Sequence, residues 1–286
     1  MWEKKLYIQQ NYPDNYVADT FLSEMKKNVD VQMYDYWTLV FNSGIIIQHL
    51  SSIMSFIAIF CYVYYEQWSV TNLIILANVL TSIGYISWMA YIKFMGSDFR
   101  YEGKQTAKSA ILFLMIVLGM SPILKTLTED TSSDSIWAMT VVCFVMNFAF
   151  NDYSGADPSF KVHSTTSSVA LNAAIFASVM LASRLSTKTH VFGLMSLAVN
   201  WFGLFPLFRR YIQTCTTGWI EVVITVVMVG GTAGIWMPIS ERMAALYLWV
   251  VGMVTFGGPG YFVYLQKYKN EIHGPWDEAS LVFSKK

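Results

Sequence analysis

Residues 70–95 run for a bilayer's width with one formal charge, Lys93, close to the end. A hydrocarbon core of roughly 30 Å is crossed by about 20 apolar residues in a helix. Inside that slab every backbone N–H and C=O must be paired within the segment, which makes a helix the form that one such run adopts. Comparable runs fall near 39–65, 109–127, 136–150, 169–185, 191–208, 219–237 and 244–265. The chain therefore reads as all-α: a polytopic membrane helix bundle of about eight transmembrane helices over 39–265. A polar segment, 1–38, precedes the bundle and a tail, 266–286, follows it. Composition agrees, with 55% hydrophobic and 13% charged residues and a mean hydropathy of +0.42. Soluble domains carry roughly twice that share of charge.

The distribution of Lys and Arg sets the orientation, because short cytoplasmic loops collect them. Eight spans put both termini on one side. That side holds 15 of the 19 basic residues, among them Lys4, Lys5, Lys26, Lys27, Arg209, Arg210, Lys285 and Lys286. The other side holds Lys125, Arg184, Lys188 and Arg242. Both ends are thus expected in the cytosol, and a count of seven or nine would destroy the asymmetry. Tyr34, Tyr36 and Trp37 open the first span, and Tyr62, Tyr64, Tyr65 and Trp68 close it, as interfacial aromatic belts do. The polar first 35 residues contain no short apolar core of a cleavable signal.

Before the first span, FLSEMKKNVDVQMYDYW at 21–37 places Phe21, Leu22, Met25, Val29, Met33 and Tyr36 at helical steps. This pattern predicts an N-terminal interfacial amphipathic helix lying on the membrane, or equally a helix docked on a soluble partner. A formal net charge of zero points to no nucleic acid. Cys61, Cys143 and Cys215 match no metal or redox spacing, and neither metal nor cofactor is expected.

Ionisable residues within the apolar runs mark function by default, and here they are few. Glu221 sits where a helix N-terminus favours a carboxylate, and Lys125 can snorkel outward. His49 has Gln48 beside it and no carboxylate within helical reach, so it reads as a hydrogen-bonded packing residue. No catalytic residue is assigned. Helix-packing signals are richer. In LNAAIFASVMLASRL at 171–185, Ala174, Ser178 and Ala182 continue a four-residue step from Ala170. Small residues let membrane helices approach closely, so this stripe is expected at the centre of the bundle or against another protein of an assembly. GGTAG at 230–234 and GGPG at 257–260 predict kinks for packing. Broken helices also line cavities in transporters, which makes a polytopic lipid transporter or scramblase the alternative reading.

The last apolar stripe continues through Tyr261, Leu265, Tyr268 and Ile272, after which Gly274–Pro275 would stop the helix. Pro275 followed by Asp277 and Glu278 would start another, with Trp276 as an anchor. His273, Pro275, Trp276, Asp277 and Glu278 therefore form a candidate partner-binding corner. His273 with Asp277 as an acid–base pair is the sharper and weaker reading, since nothing nearby would complete a site.

YPDNYV at 12–17, SPILKTLTE at 121–129, LNAAIFASVMLASRL at 171–185 and IHGPWDEA at 272–279 closely resemble the PIG-C family, the C subunits of phosphatidylinositol N-acetylglucosaminyltransferase. The resemblance spans almost the whole chain. It implies an endoplasmic reticulum membrane complex that transfers N-acetylglucosamine from UDP-N-acetylglucosamine to phosphatidylinositol, the first step of glycosylphosphatidylinositol anchor synthesis. Among the partners it implies, subunits A, H, P, Q and Y, sugar transfer belongs to the first, and this chain is an accessory. On that reading Arg100, Lys104 and Lys108 are candidates to meet the anionic headgroup of phosphatidylinositol, although ordinary positive-inside charge explains them as well.

Overall fold

The structure, a computed structural model, describes residues 9, 11–13, 16, 26–27, 33–65, 68–95, 115, 131–153, 164–206, 209, 218–268 and 272–273. The chain divides into two compact units, 40–257 and a smaller one made of 1–39 with 258–286.

Helices dominate the larger unit. In chain order they are α1 (Tyr36–Tyr64, whose first turn belongs to the smaller unit), α2 (Val70–Met95), α3 (Ser133–Phe150), α4 (Ser164–Ala182), α5 (Lys188–Ala198), α6 (Gly218–Trp236) and α7 (Glu241–Gly252). Polar side chains cap α3, α5 and α7. The Ser132 hydroxyl accepts from Ser135 N–H, Thr187 from His190 N–H and Ser240 from Met243 N–H. Each cap satisfies one of the orphan donors that open a helix. Among the described residues, four helical stretches are long and apolar enough to cross a membrane: Tyr36–Tyr64, Ser133–Phe150, Gly218–Trp236 and Glu241–Tyr268. Thr71–Gly84 and Ser168–Ala182 are shorter apolar helices. The run expected at 109–127 lies outside the described residues, apart from helical Met115.

The core gathers around α1. Phe56 and Phe60 are fully buried, and Phe56 meets Phe144 of α3 and Phe202 with ring centroids 6.2 and 5.1 Å apart. On α4, Ala170, Ala174, Ala177 and Ser178 are buried together, beside Leu194, Met195 and Leu197 of α5. Among the described glycines the closest approach is at Gly193, where a Cβ would stand 2.9 Å from Leu73 Cδ2 of α2.

Two π turns interrupt the α pattern. Val199–Leu204 continues α5, and Met253–Gly257 follows α7 and leads into α8 (Gly258–Leu265). The second lies just before Pro259, whose missing N–H removes a rung of the ladder. GGTAG, by contrast, runs unbroken within α6, and Gly230, Gly231 and Gly234 have open space where a Cβ would stand.

In the smaller unit the two tails meet. β1 (Lys26–Lys27) and β2 (Ile272–His273) form a two-residue antiparallel ladder, with Lys26 opposite His273 and Lys27 opposite Ile272. Tyr34 N–H donates to Gln266 Oε1 at 3.3 Å, and a Cβ on Gly260 would stand 3.9 Å from the Tyr36 ring. This arrangement corrects two expectations. Lys26 and Lys27 are extended rather than part of an amphipathic helix, and Met33–Asp35 are also outside any helix; the other positions of 21–32 lie outside the described residues. The physical reason is a cap: Asp35 Oδ2 accepts from Thr38 N–H at 3.0 Å and from its hydroxyl at 3.1 Å, so the helix starts only at Tyr36. Likewise the last helix does not reach Ile272. It ends at Leu265, tightens through a 3₁₀ turn at Gln266–Tyr268, and Ile272 pairs across the ladder instead.

Candidate functional site

Gln48, Ser51, Ser52 and Ser55 fall at positions i, i+3, i+4 and i+7 of α1, which places them on one face. All four are buried. The Gln48 amide donates to Thr225 Oγ1 of α6 at 2.9 Å, and the Thr225 hydroxyl in turn donates to Glu221 O at 2.8 Å. Ser51 Oγ donates to Ile47 O at 2.7 Å and lies 2.6 Å from the Tyr247 hydroxyl of α7. Because the Ser51 proton is committed, Tyr247 is the donor between them. By the same logic Ser55 donates to Thr232 Oγ1 at 2.7 Å, since Thr232 bonds Met228 O. Two indoles reach the α1 backbone: Trp201 Nε1 donates to Ser52 O at 2.7 Å and Trp236 Nε1 to Met54 O at 3.0 Å.

A neighbouring face of α1 carries His49. Its Nε2 lies 3.0 Å from Asn147 Oδ1 of α3, while the Asn147 amide donates to Ala170 O of α4 at 2.8 Å. One asparagine thus joins three helices. The imidazole also stacks on Phe148 and meets Tyr153 edge-on. Beside them Arg209, only 6% exposed, donates from Nη1 to Ile45 O at 3.4 Å. Burial pushes the Tyr153 phenol above its ordinary range, against the opposing pull of the nearby Asn151 side chain and the Arg209 charge.

Chemically this seam joins helices. Each inter-helix bond of this kind contributes about 0.6 kcal/mol, up to about 1.7, a modest sum because helices separated in the membrane also find partners for these groups. His49 pairs with an amide rather than a hydroxyl or carboxylate, and the serines spend their protons on carbonyls and hydroxyls. Among the described residues no group of three His, Cys, Asp or Glu side chains is placed to hold a metal ion. Cys61 and Cys143 are free thiols.

Comparison with known proteins supplies what the geometry leaves open. The family profile described as GPI2, phosphatidylinositol N-acetylglucosaminyltransferase, matches residues 2–277. The chain is 36% identical to the Schizosaccharomyces pombe phosphatidylinositol N-acetylglucosaminyltransferase GPI2 subunit, over 97% of this chain and 86% of that one. It is also 36% identical to the C subunit of the Homo sapiens phosphatidylinositol N-acetylglucosaminyltransferase, over 98% of this chain and 93% of that one. The putative C subunit of the Dictyostelium discoideum enzyme is 36% identical over 98% and 80% of the two chains. The chain belongs to this family. No solved structure matches it.

The residues expected to serve a member of the GPI2 family are distributed unevenly. Ala174 and Ser178 have no exposure and Ala182 has 1%, so this stripe packs within the chain's own core. Ser178 Oγ donates to Ala174 O at 2.7 Å. His273 is paired through its backbone with Lys26. Pro275, Trp276, Asp277 and Glu278, together with Arg100, Lys104 and Lys108, lie outside the described residues. Glu221 occupies the first turn of α6. The polar face of α1 is missing from the sequence-based candidates, although its i, i+3, i+4, i+7 spacing announces it. Arg209 reads in sequence as loop charge, and nothing local signals its burial.

Proposed function

We propose that this chain is a non-catalytic, multi-pass subunit of the endoplasmic reticulum complex that transfers N-acetylglucosamine from UDP-N-acetylglucosamine to phosphatidylinositol. Near-complete alignment with proteins named as subunits of that transferase carries this reading. Of its partners, subunits A, H, P, Q and Y, the first is the catalytic one. The bundle holds it over the cytosolic leaflet and helps to present the lipid. The α1 seam supports a scaffold role, because its bonds to α3, α6 and α7 tie these helices to α1.

Eight spans with both ends cytosolic complete the proposal. Pairing of residues 26–27 with 272–273 brings the start of the first candidate span and the end of the last to one side, which supports an even number of crossings. Eight is the even count that retains every apolar run in the sequence, and the basic residues assign that side to the cytosol. The corner at 273–278 is the partner-binding element in this proposal, and Arg100, Lys104 and Lys108 are the headgroup contacts.

Purification of the tagged chain in a gentle detergent tests the assignment. The expected result is co-purification of the other subunits together with transfer of N-acetylglucosamine to phosphatidylinositol. Trp276→Ala is expected to weaken that assembly. Intact assembly with lost turnover would mean instead that the corner takes part in the chemistry. Charge reversal at all three basic positions is expected to lower the affinity for phosphatidylinositol; an unchanged affinity rejects the lipid contact.

A further inference from the structure

Within the smaller unit the two tails meet at two levels. Just past α8, Gln266 receives Tyr34 N–H on its Oε1 at 3.3 Å and donates from Nε2 to Met33 Sδ at 2.9 Å. Further along, Ile272 and His273 pair with Lys27 and Lys26. From 266 to 272 is six positions, and from 34 back to 27 is seven. The N-terminal segment therefore accompanies the C-terminal one in the opposite direction, over a similar length of chain.

This pairing falls at a particular place in the chain. His273 is followed directly by Gly274 and Pro275, and a proline has no N–H with which to extend a ladder. The last helical turn does not reach the corner, since it ends at Tyr268, four positions before Ile272. The root of the corner is thus held by backbone from the other end of the chain. A binding element with a fixed root has less freedom to lose when it engages a partner. We infer that Lys26 and Lys27 are positioning residues for the partner-binding corner, acting through their backbone. Recognition of a cytosol-facing part of another subunit then draws on both tails together. The inference rests on the proposed reading of residues 273–278 as the partner-binding element.

The test co-expresses the full complex with tagged variants of the whole chain and measures recovery of the other subunits. Lys26→Pro with Lys27→Pro removes whichever N–H the ladder uses, whereas Lys26→Val with Lys27→Val keeps both and suits a strand. The proline pair is expected to lower recovery about tenfold, the cost of ordering one further residue on binding. The valine pair is expected to recover partners at wild-type level, and the melting temperature of the tagged chain is expected to stay unchanged in both. Combining the proline pair with Trp276→Ala is expected to add no further loss, because both disable one element. Wild-type recovery with the proline pair, an equal loss with the valine pair, or losses that multiply in the combination each overturn the positioning role. Wild-type recovery with Trp276→Ala alone overturns the corner itself, and the inference falls with it. A cysteine pair, Lys27→Cys with Ile272→Cys, tests the ladder without any loss of pairing. Paired residues of an antiparallel ladder have Cα atoms about 4.5–5.5 Å apart, within the reach of a disulfide. Formation of that disulfide in native membranes under a mild oxidant supports the inference, and its absence overturns it.

Discussion

Asn147 has more at stake than any other polar side chain described in the larger unit. It serves His49 with its carbonyl and Ala170 O with its amide, so leucine in its place strands the buried His49 ring nitrogen and removes the tie to α4, whose Ala170 O keeps its helical partner. A stranded group costs about 1–3 kcal/mol, far beyond the worth of the bond it made. Asn147→Leu is expected to lower the melting temperature of the detergent-solubilised chain well below that of an outward-face variant such as Val145→Ala. Equal melting temperatures would show that this junction is not what holds α1, α3 and α4 together. Part of the junction is legible in sequence: a histidine in an apolar helix without a carboxylate predicts a hydrogen-bonded packing residue. Its partner is not legible. Asn147 lies 98 positions away and Thr225 is 177 from Gln48, and periodicity reports only which face of a helix is polar, never what that face meets.

At the level of elements, the apolar runs predict the described helices because a helix closes its hydrogen bonds locally and needs no knowledge of its neighbours. Glycines are less transparent. GGTAG has the composition of a break, yet α6 passes through it intact, since a glycine without proline leaves every N–H in place. GGPG differs: Pro259 withholds an N–H, and a π turn precedes it. The glycine with the strictest steric demand is one that no sequence pattern marks. At Gly193, an alanine methyl would meet Leu73 Cδ2 at 2.9 Å, and Leu73 is fully buried with little room to yield. Gly193→Ala is expected to destabilise the packing of α5 on α2 by about 1–3 kcal/mol, read as a drop in thermal midpoint. Gly230→Ala, which points into open space, is the matched control and is expected to leave the midpoint unchanged or slightly raised. If both substitutions behaved alike, close α2–α5 approach would not be the reason for the glycine.

For the whole molecule, the tail ladder and the charge distribution bear on topology independently. The ladder concerns parity: strands 246 positions apart in sequence pair directly, which supports the proposed even number of crossings. Charge concerns which side that is: under the proposed eight spans, 15 basic residues against four favour the cytosol. Sequence alone does not foresee the pairing, because the hydrophobic stripe through Met25, Val29 and Met33 predicts a helix, whereas Lys26 and Lys27 are extended. The two arguments can be separated experimentally. A glycosylation acceptor on a short flexible extension is placed at the amino end in one variant and at the carboxyl end in another, and modification is scored by mobility before and after deglycosylation. Neither extension is expected to be modified. Modification of one alone would break the parity that the ladder implies and would make the crossing number odd. Modification of both would preserve parity and invert the orientation, placing the ladder and the 273–278 corner on the face opposite the cytosolic sugar-transfer chemistry.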